Sequence, residues 1–209
     1  MRILLKKAIW GLGICWSYLY IPAFRKKLKN IHTLLYSAFI SRDFCYFGVD
    51  AGVMYPSYFR GEKNVYIGDR ASIGKYAVIT TWTVYENESF EPYIEIGDGT
   101  SIGDNCHISA ISRITFGKNV LTGRWLTVVD NSHGRIEQEE LGIPPIKRLL
   151  YSKGNIEIGD NVWIGDKVTI LAGVTIGANS IVGANSLVTA DIPPNCVAGG
   201  VPAKIIKYI

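Results

Sequence analysis

The pattern of apolar positions repeats every six residues in the C-terminal part of the chain. A β-branched aliphatic residue recurs at every sixth position, a small residue usually follows it, and valine or serine holds the fifth place. The aliphatic positions are Ile158, Ile164, Ile170, Ile176, Val182 and Val188. This period fits short strands that each turn a corner, with the aliphatic side chain inside and glycine easing the bend. Three such walls per turn predict a parallel β-helix, stabilised by stacking of each turn on the next.

The same repeat predicts how the chain is divided. It is absent from 81–93, which we expect to be a loop, and it stops at Val129 and resumes at Ile156. A long interruption in a solenoid is typical of a functional loop. We therefore expect a helical N-terminal segment, a β-helix with one long protruding loop, and a closing tail. Their bounds are 1–46, 47–196 with the loop at 130–155, and 197–209.

Two helices are expected before the repeats, at 8–23 and 24–42. Near-helical spacing in the second stretch is kept by Leu28, Ile31, Leu35 and Phe39. Glycines and short length argue against a membrane span in the first stretch, and no convincing cleavage site marks a signal peptide. Two alternatives remain for the first helix. It packs on the solenoid end or in a subunit interface, or it lies in a membrane interface with its aromatic residues and flanking lysines.

Composition limits the class of protein. With 209 residues, of which 48% are hydrophobic, the chain is long enough for one solenoid with a sizeable core. The net charge of +4 includes basic clusters near the N-terminus, which favours an anionic lipid or a phosphate-bearing ligand over nucleic acid. The four cysteines form no CxxC pair, which favours reduced thiols. We expect a cytoplasmic protein, peripheral at the inner face of the membrane if its first helix binds lipid.

His133 is the main candidate for chemistry, because it lies in DNSHG (130–134), where the repeat breaks. A histidine can take a proton from a hydroxyl near neutral pH and return it to a leaving thiolate. Asp130 or a backbone carbonyl would orient its second ring nitrogen. The alternative is a loop histidine bonded for turn geometry. His107 faces the same cleft or caps a corner, and His32 falls in a helix, so the histidine count disfavours a zinc site.

Three features occur together after the interruption begins: the loop histidine, VWIG at 162–165, and GGVPAK at 199–204. Together with the repeats they resemble the hexapeptide-repeat O-acetyltransferases, such as the galactoside, maltose, capsule and colanic-acid acetyltransferases. The resemblance covers the chain from Phe47 to its C-terminus. It implies a left-handed winding, acetyl-CoA as the acyl donor without a metal ion, and a homotrimer with clefts between neighbouring subunits.

The resemblance also assigns roles to residues of this sequence. His133 matches the catalytic base, and Asn105 falls near an asparagine that stabilises the tetrahedral intermediate, with His107 an equally good donor. Substrate contacts are expected from Asp130 and His107. Positions that match contacts to the cofactor are Trp163, Asp166, Ala184, Thr189, Lys204 and Lys207. The two lysines stand where arginines are often found, and lysine binds phosphate as a point charge without a bidentate fork.

The expected function is acetyl transfer from acetyl-CoA to a sugar hydroxyl of a capsule, exopolysaccharide or O-antigen type of glycan, or of its precursor. The insertion after DNSHG resembles that of capsule and exopolysaccharide enzymes. The N-terminal motif of the maltose and galactoside enzymes is not recognisable in 1–42. Two alternatives stay open, an N-acyltransferase acting on an amino-sugar nucleotide and a non-catalytic trimeric scaffold.

Overall fold

Two helices precede the first strand of the protein. In the computed structural model, which describes residues 2–19, 21–135 and 137–209, they are α1 (Arg2–Leu19) and α2 (Pro22–Ile40). A 3-10 turn (Ser41–Asp43) follows α2. Pro22 is the first residue of α2, a position where a backbone N–H would have no hydrogen-bond partner within the helix, so its absence costs nothing. The prediction of two helices before the repeats is confirmed.

The rest of the chain winds through three sheets, here called walls 1, 2 and 3, which surround one core and are parallel except for the last strand of wall 2. Wall 1 contains β1 (Tyr46–Phe47), β4 (Val65–Ile67), β9 (Tyr93–Ile96), β12 (Arg113–Phe116), β17 (Ile156–Ile158) and β20 (Thr175–Ile176). Wall 2 contains β2 (Gly52–Val53), β5 (Ser72–Ile73), β10 (Ser101–Ile102), β13 (Leu121–Thr122), β18 (Trp163–Ile164), β21 (Ile181–Val182), β23 (Cys196–Gly200) and β24 (Ala203–Tyr208). Wall 3 contains β3 (Tyr58–Arg60), β6 (Val78–Thr81), β11 (His107–Ala110), β14 (Thr127–Val129), β19 (Thr169–Leu171) and β22 (Leu187–Val188).

Successive coils are in register along every wall. Glu157 pairs with Thr175 on wall 1 and Trp163 pairs with Ile181 on wall 2, so one regular coil uses three hexapeptides. The aliphatic position of each hexapeptide points inward, and Ile164 is fully buried. Since each coil covers the aliphatic residues of the coil before it, the core runs through the whole stack. The predicted parallel β-helix is confirmed.

Most corner glycines are needed for stacking, whereas the sequence pattern suggested that they ease the bend. The positive φ at a corner falls two residues later, as at Asn161 (φ 57°) and Asn185 (φ 58°). Asparagine is one of the few residues that adopt this left-handed conformation readily. A Cβ added to Gly165 would lie only 2.6 Å from the backbone nitrogen of Ala184 in the next coil. Glycine is therefore required there by the close approach of two backbones.

Two insertions leave the β-helix, and both do so where the chain passes from wall 3 to wall 1. We call residues 82–92 the hairpin and residues 130–155 the arm. The region predicted to be a plain loop at 81–93 thus contains a strand pair, and the protruding loop is itself folded. The hairpin contains antiparallel β7 (Val84–Tyr85) and β8 (Glu88–Ser89). The arm contains antiparallel β15 (Ser132–His133) and β16 (Leu150–Tyr151), with 3-10 turns at Gln138–Glu140 and Pro145–Lys147.

The second helix closes the first coil of the β-helix. Ser37 and Ile40 of α2 are buried, and Ile40 joins the core. The Ser37 hydroxyl accepts a hydrogen bond from the backbone N–H of Val53 at 2.9 Å. This contact satisfies a backbone group at the edge of wall 2, which would otherwise be open to pairing with another chain. At the other end, β24 folds back antiparallel along β23.

The first helix makes no comparable packing. All side chains described in α1, from Ile3 to Tyr18, are exposed. Packing of this helix on the end of the solenoid, one of its expected placements, is therefore wrong for the single chain. Among the described residues, no helix combines the length and apolar character that crossing a membrane requires.

Stacking at the corners predicts a difference between two glycines at equivalent positions. We expect Gly165→Ala to lower the free energy of unfolding by about 1–3 kcal/mol, because its Cβ would overpack against the next coil. Gly183 is the matched control, since its added Cβ would have its nearest neighbour, the Ala198 carbonyl oxygen, at 3.6 Å. Thermal unfolding of both variants tests this, and equal melting temperatures would contradict the stacking argument.

Candidate active site

A cleft of about 530 Å³ lies on the outer face of wall 3, between the hairpin and the arm. Its floor is formed by outward side chains of β6, β11 and β14, among them His107 and Ser109. The hairpin contributes Trp82 and Tyr85, and the arm contributes His133. Because both insertions leave from the same edge of the β-helix, they meet over this face. The cleft brings together two of the three histidines in the sequence.

Tyr85 orients the ring of His133. The tyrosine hydroxyl donates a hydrogen bond to the carbonyl oxygen of Ile146 at 2.6 Å. Its oxygen lies 3.4 Å from His133 Nδ1, and the two rings pack edge to face with centroids 5.5 Å apart. Since the hydroxyl proton is used by Ile146, the oxygen is an acceptor for an Nδ1–H of the histidine. That arrangement leaves Nε2 with its lone pair, as a general base requires.

A chain of ring contacts supports Tyr85 from the opposite side. The Trp82 ring packs edge to face on Tyr85, with centroids 6.1 Å apart. The Arg60 guanidinium lies over the Trp82 ring, 3.8 Å from its centroid, in cation–π geometry. Trp82 and Tyr85 were not predicted from the sequence, because the hairpin lies outside the repeat and has no periodic pattern. Arg60 was not predicted either; it ends β3, in an irregular first coil. One side of the cleft is therefore aromatic.

Asp130 does not line the cleft and makes no contact with His133. Its carboxylate is buried and accepts hydrogen bonds from the backbone N–H groups of Ile111 (2.9 Å) and Ser112 (2.8 Å). Asn131 Nδ2 donates a third bond to the carboxylate at 3.1 Å. Burial raises the pKa of Asp130, and these donors oppose the rise. The expectations that Asp130 orients the histidine or binds substrate are corrected, because its side chain braces the base of the arm.

Of the two predicted oxyanion donors, only His107 reaches the cleft. It stands on β11, exposed, and pairs with Val78 and Thr127 of the neighbouring coils. Asn105 has φ 60° and donates its backbone N–H to the carbonyl of Lys75 at 2.7 Å. It thus holds the left-handed corner position, and it is absent from the residues that line the cleft. This placement argues against the catalytic role expected for Asn105.

A second cleft, of about 430 Å³, gathers three of the residues expected at the cofactor, Trp163, Asp166 and Ala184. It lies on wall 2 and its corner towards wall 3. Trp163 is 53% exposed, and its side chain points away from the core. The pKa of Asp166 is held below its ordinary value by Arg124. The larger cause is the hydrogen bond from the Arg124 backbone N–H, and the second is its guanidinium, 3.2 Å from the carboxylate. Asp166 is therefore already paired within the chain.

The two expected phosphate contacts lie on the same wall as Trp163. Strand register links Trp163 to Ile181, Ile181 to Val197, and Val197 to Lys207. Lys204 pairs with Gly199 on the same strand pair, and both lysines are exposed. Thr189 is exposed after the last strand of wall 3 and does not line the cleft of Trp163. An exposed aromatic ring in line with cations suits a ligand that carries phosphates at one end.

One chain does not bring the two clefts together. His133 lies over wall 3, whereas Trp163 and Lys207 lie on wall 2.

Within the described residues, no group of three histidine, cysteine, aspartate or glutamate side chains is placed to hold a metal ion.

Two family models match the sequence. The bacterial transferase hexapeptide model (six repeats) matches residues 155–190, and the hexapeptide repeat of succinyl-transferase matches residues 93–110. Both matches fall on coils of the β-helix described above. The second lies on β9, β10 and β11, which include His107.

Three known proteins illustrate the similarity. The putative lipopolysaccharide biosynthesis O-acetyl transferase WbbJ of Escherichia coli K12 is 33% identical over 159 residues, which are 74% of this chain and 77% of the relative. The structure of a maltose O-acetyltransferase from Clostridium difficile 630 has a TM-score of 0.57 at 26% identity, over 90% of this chain and 85% of that one. The hexapeptide-repeat acetyltransferase VCA0836 from Vibrio cholerae O1 biovar eltor, complexed with acetyl-CoA, has a TM-score of 0.54 at 27% identity, over 82% and 75%.

The sequence relative, the repeat models and the stacked coils agree with one another. The chain belongs to the hexapeptide-repeat transferases of left-handed β-helix fold, and it is an acetyltransferase.

Proposed function

We propose that the protein transfers an acetyl group from acetyl-CoA to a hydroxyl of a capsule, exopolysaccharide or O-antigen type of glycan, or of its precursor. The observation that carries this proposal is the placement of His133 in an open cleft, with Tyr85 holding the proton on Nδ1. The aromatic side formed by Trp82 and Tyr85 suits the apolar face of a sugar ring. Similarity to WbbJ, named for lipopolysaccharide biosynthesis, favours a glycan acceptor.

In this proposal His133 is a general base and then a general acid. Its Nε2 accepts the proton of the acceptor hydroxyl while the hydroxyl oxygen attacks the thioester carbonyl carbon. His107 stands in the same cleft and donates a hydrogen bond to the oxyanion that develops. His133 then delivers the proton to the leaving sulfur as the carbon–sulfur bond breaks. The acetyl group passes directly to the sugar, and the products are the acetyl ester and coenzyme A.

We further propose that the complete site needs two copies of the chain, as in a homotrimer. The face of one copy supplies His133, and wall 2 of its neighbour supplies Trp163, Ala184 and Asp166 along the pantetheine arm. Lys204 and Lys207 of that wall are placed towards the phosphates. The separation of the two clefts within one chain supports this arrangement, because neither cleft contains the residues of the other. Thr189 stays a prediction, since it lies apart from both.

A cytoplasmic location is part of the same proposal. All four cysteines are free, and Cys106 and Cys196 are buried. Burial raises the pKa of the Cys106 thiol to about 12, so that thiol is protonated and inert. Free thiols fit a reducing compartment.

Of the two alternative functions, the non-catalytic scaffold is set aside because the chain is an acetyltransferase. Transfer to an amino group is tested by assays that compare hydroxyl and amino acceptors.

Removal of the base tests the assignment of His133. We expect His133→Ala to lower kcat for acetyl transfer by about 10²–10⁴, the usual contribution of general acid–base catalysis. Binding of coenzyme A, measured by calorimetry, should persist. His32→Ala is the matched control, since His32 lies on α2 against Tyr55 and away from the cleft. An unchanged kcat for His133→Ala would disprove the assignment.

Tyr85 is proposed as a positioning residue, and its hydroxyl is the part to remove. We expect Tyr85→Phe to lower kcat about fivefold, the equivalent of one hydrogen bond of about 1 kcal/mol, with KM for acetyl-CoA unchanged. Tyr66→Phe, on wall 1, serves as the control. A purely structural role would instead lower the melting temperature of Tyr85→Phe and leave kcat at the level of the control.

The composite site predicts complementation between two inactive variants. His133→Ala and Trp163→Ala should each have low activity alone. After unfolding, mixing and refolding, activity should recover, because some interfaces then combine an intact His133 with an intact Trp163 from the neighbouring copy. Refolding each variant separately is the control. Activity that stays at the level of the separate variants in a confirmed mixed oligomer would argue that one chain supplies both residues.

A further inference from the structure

The N-terminal segment has a charge opposite to that of the rest of the protein. Residues 1–42 contain eight of the 22 lysines and arginines and none of the 18 aspartates and glutamates. Their charge is therefore +8, and the remaining residues carry −4. The first acidic residue of the chain is Asp43, directly after α2. No carboxylate within α1 or α2 is present to neutralise these cations.

The outer face of α2 is apolar and uncovered. The helix packs on the first coil through Ser37, Tyr36 and Ile40. On the side facing away from the coil, exposed apolar side chains follow helical spacing. They are Leu28 (39% exposed), Ile31 (45%), Leu35 (66%) and Phe39 (83%). Helical spacing in the sequence identified this apolar stripe, and in the structure the stripe faces away from the protein core.

The first helix also exposes apolar side chains. Leu5, Ile9, Leu12 and Trp16 share one side of α1 by helical spacing and are exposed. Other exposed apolar side chains, among them Trp10 and Ile14, lie on the remaining sides of the helix. Lys6 and Lys7 lie outside that stripe and are also exposed. Exposed apolar and aromatic side chains together with lysines are typical of helices that lie in the headgroup region of a bilayer.

We propose that α1 and the outer face of α2 form a docking surface for an anionic lipid bilayer. The apolar stripes enter the boundary between headgroups and acyl chains, and the lysines, including Lys26, Lys27 and Lys29, contact lipid phosphates. A second copy of the chain fits this surface less well. If its own residues 1–42 packed here, two segments of charge +8 would face each other with no acidic side chain between them. Anionic lipid neutralises the segment and is attracted by each lysine or arginine near its surface.

The docking surface lies close to the cleft of His133 along the solenoid. α2 covers the first coil, and the cleft begins on β6 in the second coil. Coils are spaced about 5 Å apart, so the floor of the cleft starts within one or two coil spacings of the docking end. A glycan precursor carried on a lipid would be held near the catalytic base. The docking proposal itself is independent of the proposed acetyl transfer.

Flotation of the full chain with vesicles tests the proposal. We expect binding to phosphatidylcholine vesicles that contain phosphatidylglycerol, at least tenfold weaker binding to phosphatidylcholine alone, and a steep loss of binding at high salt. Leu35→Glu should weaken binding about tenfold or more, because it removes an apolar side chain that would enter the bilayer and adds a negative charge. Val49→Glu is the matched control, since Val49 is 69% exposed on the first coil and outside the helices.

Two further measurements keep the outcome decisive. Replacing Lys26, Lys27 and Lys29 with glutamine lowers the charge of residues 1–42 from +8 to +5, so it should weaken the preference for phosphatidylglycerol and leave the melting temperature unchanged. Light scattering reports the oligomeric state of every variant. The proposal is overturned if the parent protein does not float with anionic vesicles, or if Leu35→Glu and Val49→Glu float equally well. It is also overturned if Leu35→Glu changes only the oligomeric state, because the stripe would then join copies of the chain.

Discussion

The direct stacking of one coil's backbone on the next is the constraint on which the rest of the structure depends. At Gly165 the neighbouring coil is so close that a Cβ has no room, and all three walls keep one register. Extra residues are accommodated where the chain leaves the walls altogether, and both insertions do so between walls 3 and 1. The coil that carries His107 lies between them. The hairpin and the arm therefore meet over one face, and this meeting forms the cleft.

The fold was predictable because its constraint is repeated in every coil, so that each inward position such as Ile164 carries the same signal. His133 was predictable for the opposite reason, as a titratable residue where the repeat stops. Tyr85 was not, because its contact with His133 joins two insertions 48 residues apart in the sequence, and neither has a period. The positive φ of Asn105 is by itself a sufficient reason for an asparagine at that corner, so the role that the resemblance implies for it stays a prediction.

The second helix shows a different limit of sequence patterns. Helical spacing identifies an apolar stripe, but it does not say which surface covers that stripe. In α2 the buried side includes Ser37, because an unpaired backbone N–H at the edge of wall 2 needs an acceptor. A polar residue is thus inside and the apolar stripe is outside. The N-terminal segment therefore presents exposed apolar side chains together with its lysines, on a surface separate from the two clefts.

We propose that catalysis occurs where the six-residue repeat is interrupted, at a site shared by two copies of the chain. A crystal structure of the protein with coenzyme A tests it most directly. We expect the thiol sulfur to lie within about 3–3.5 Å of the position where an acceptor oxygen contacts His133 Nε2. We also expect the pantetheine arm to lie against Trp163 of the neighbouring copy. Coenzyme A bound with no His133 near its sulfur would disprove the role of His133, and coenzyme A held by His133 and Trp163 of one chain would disprove the shared site.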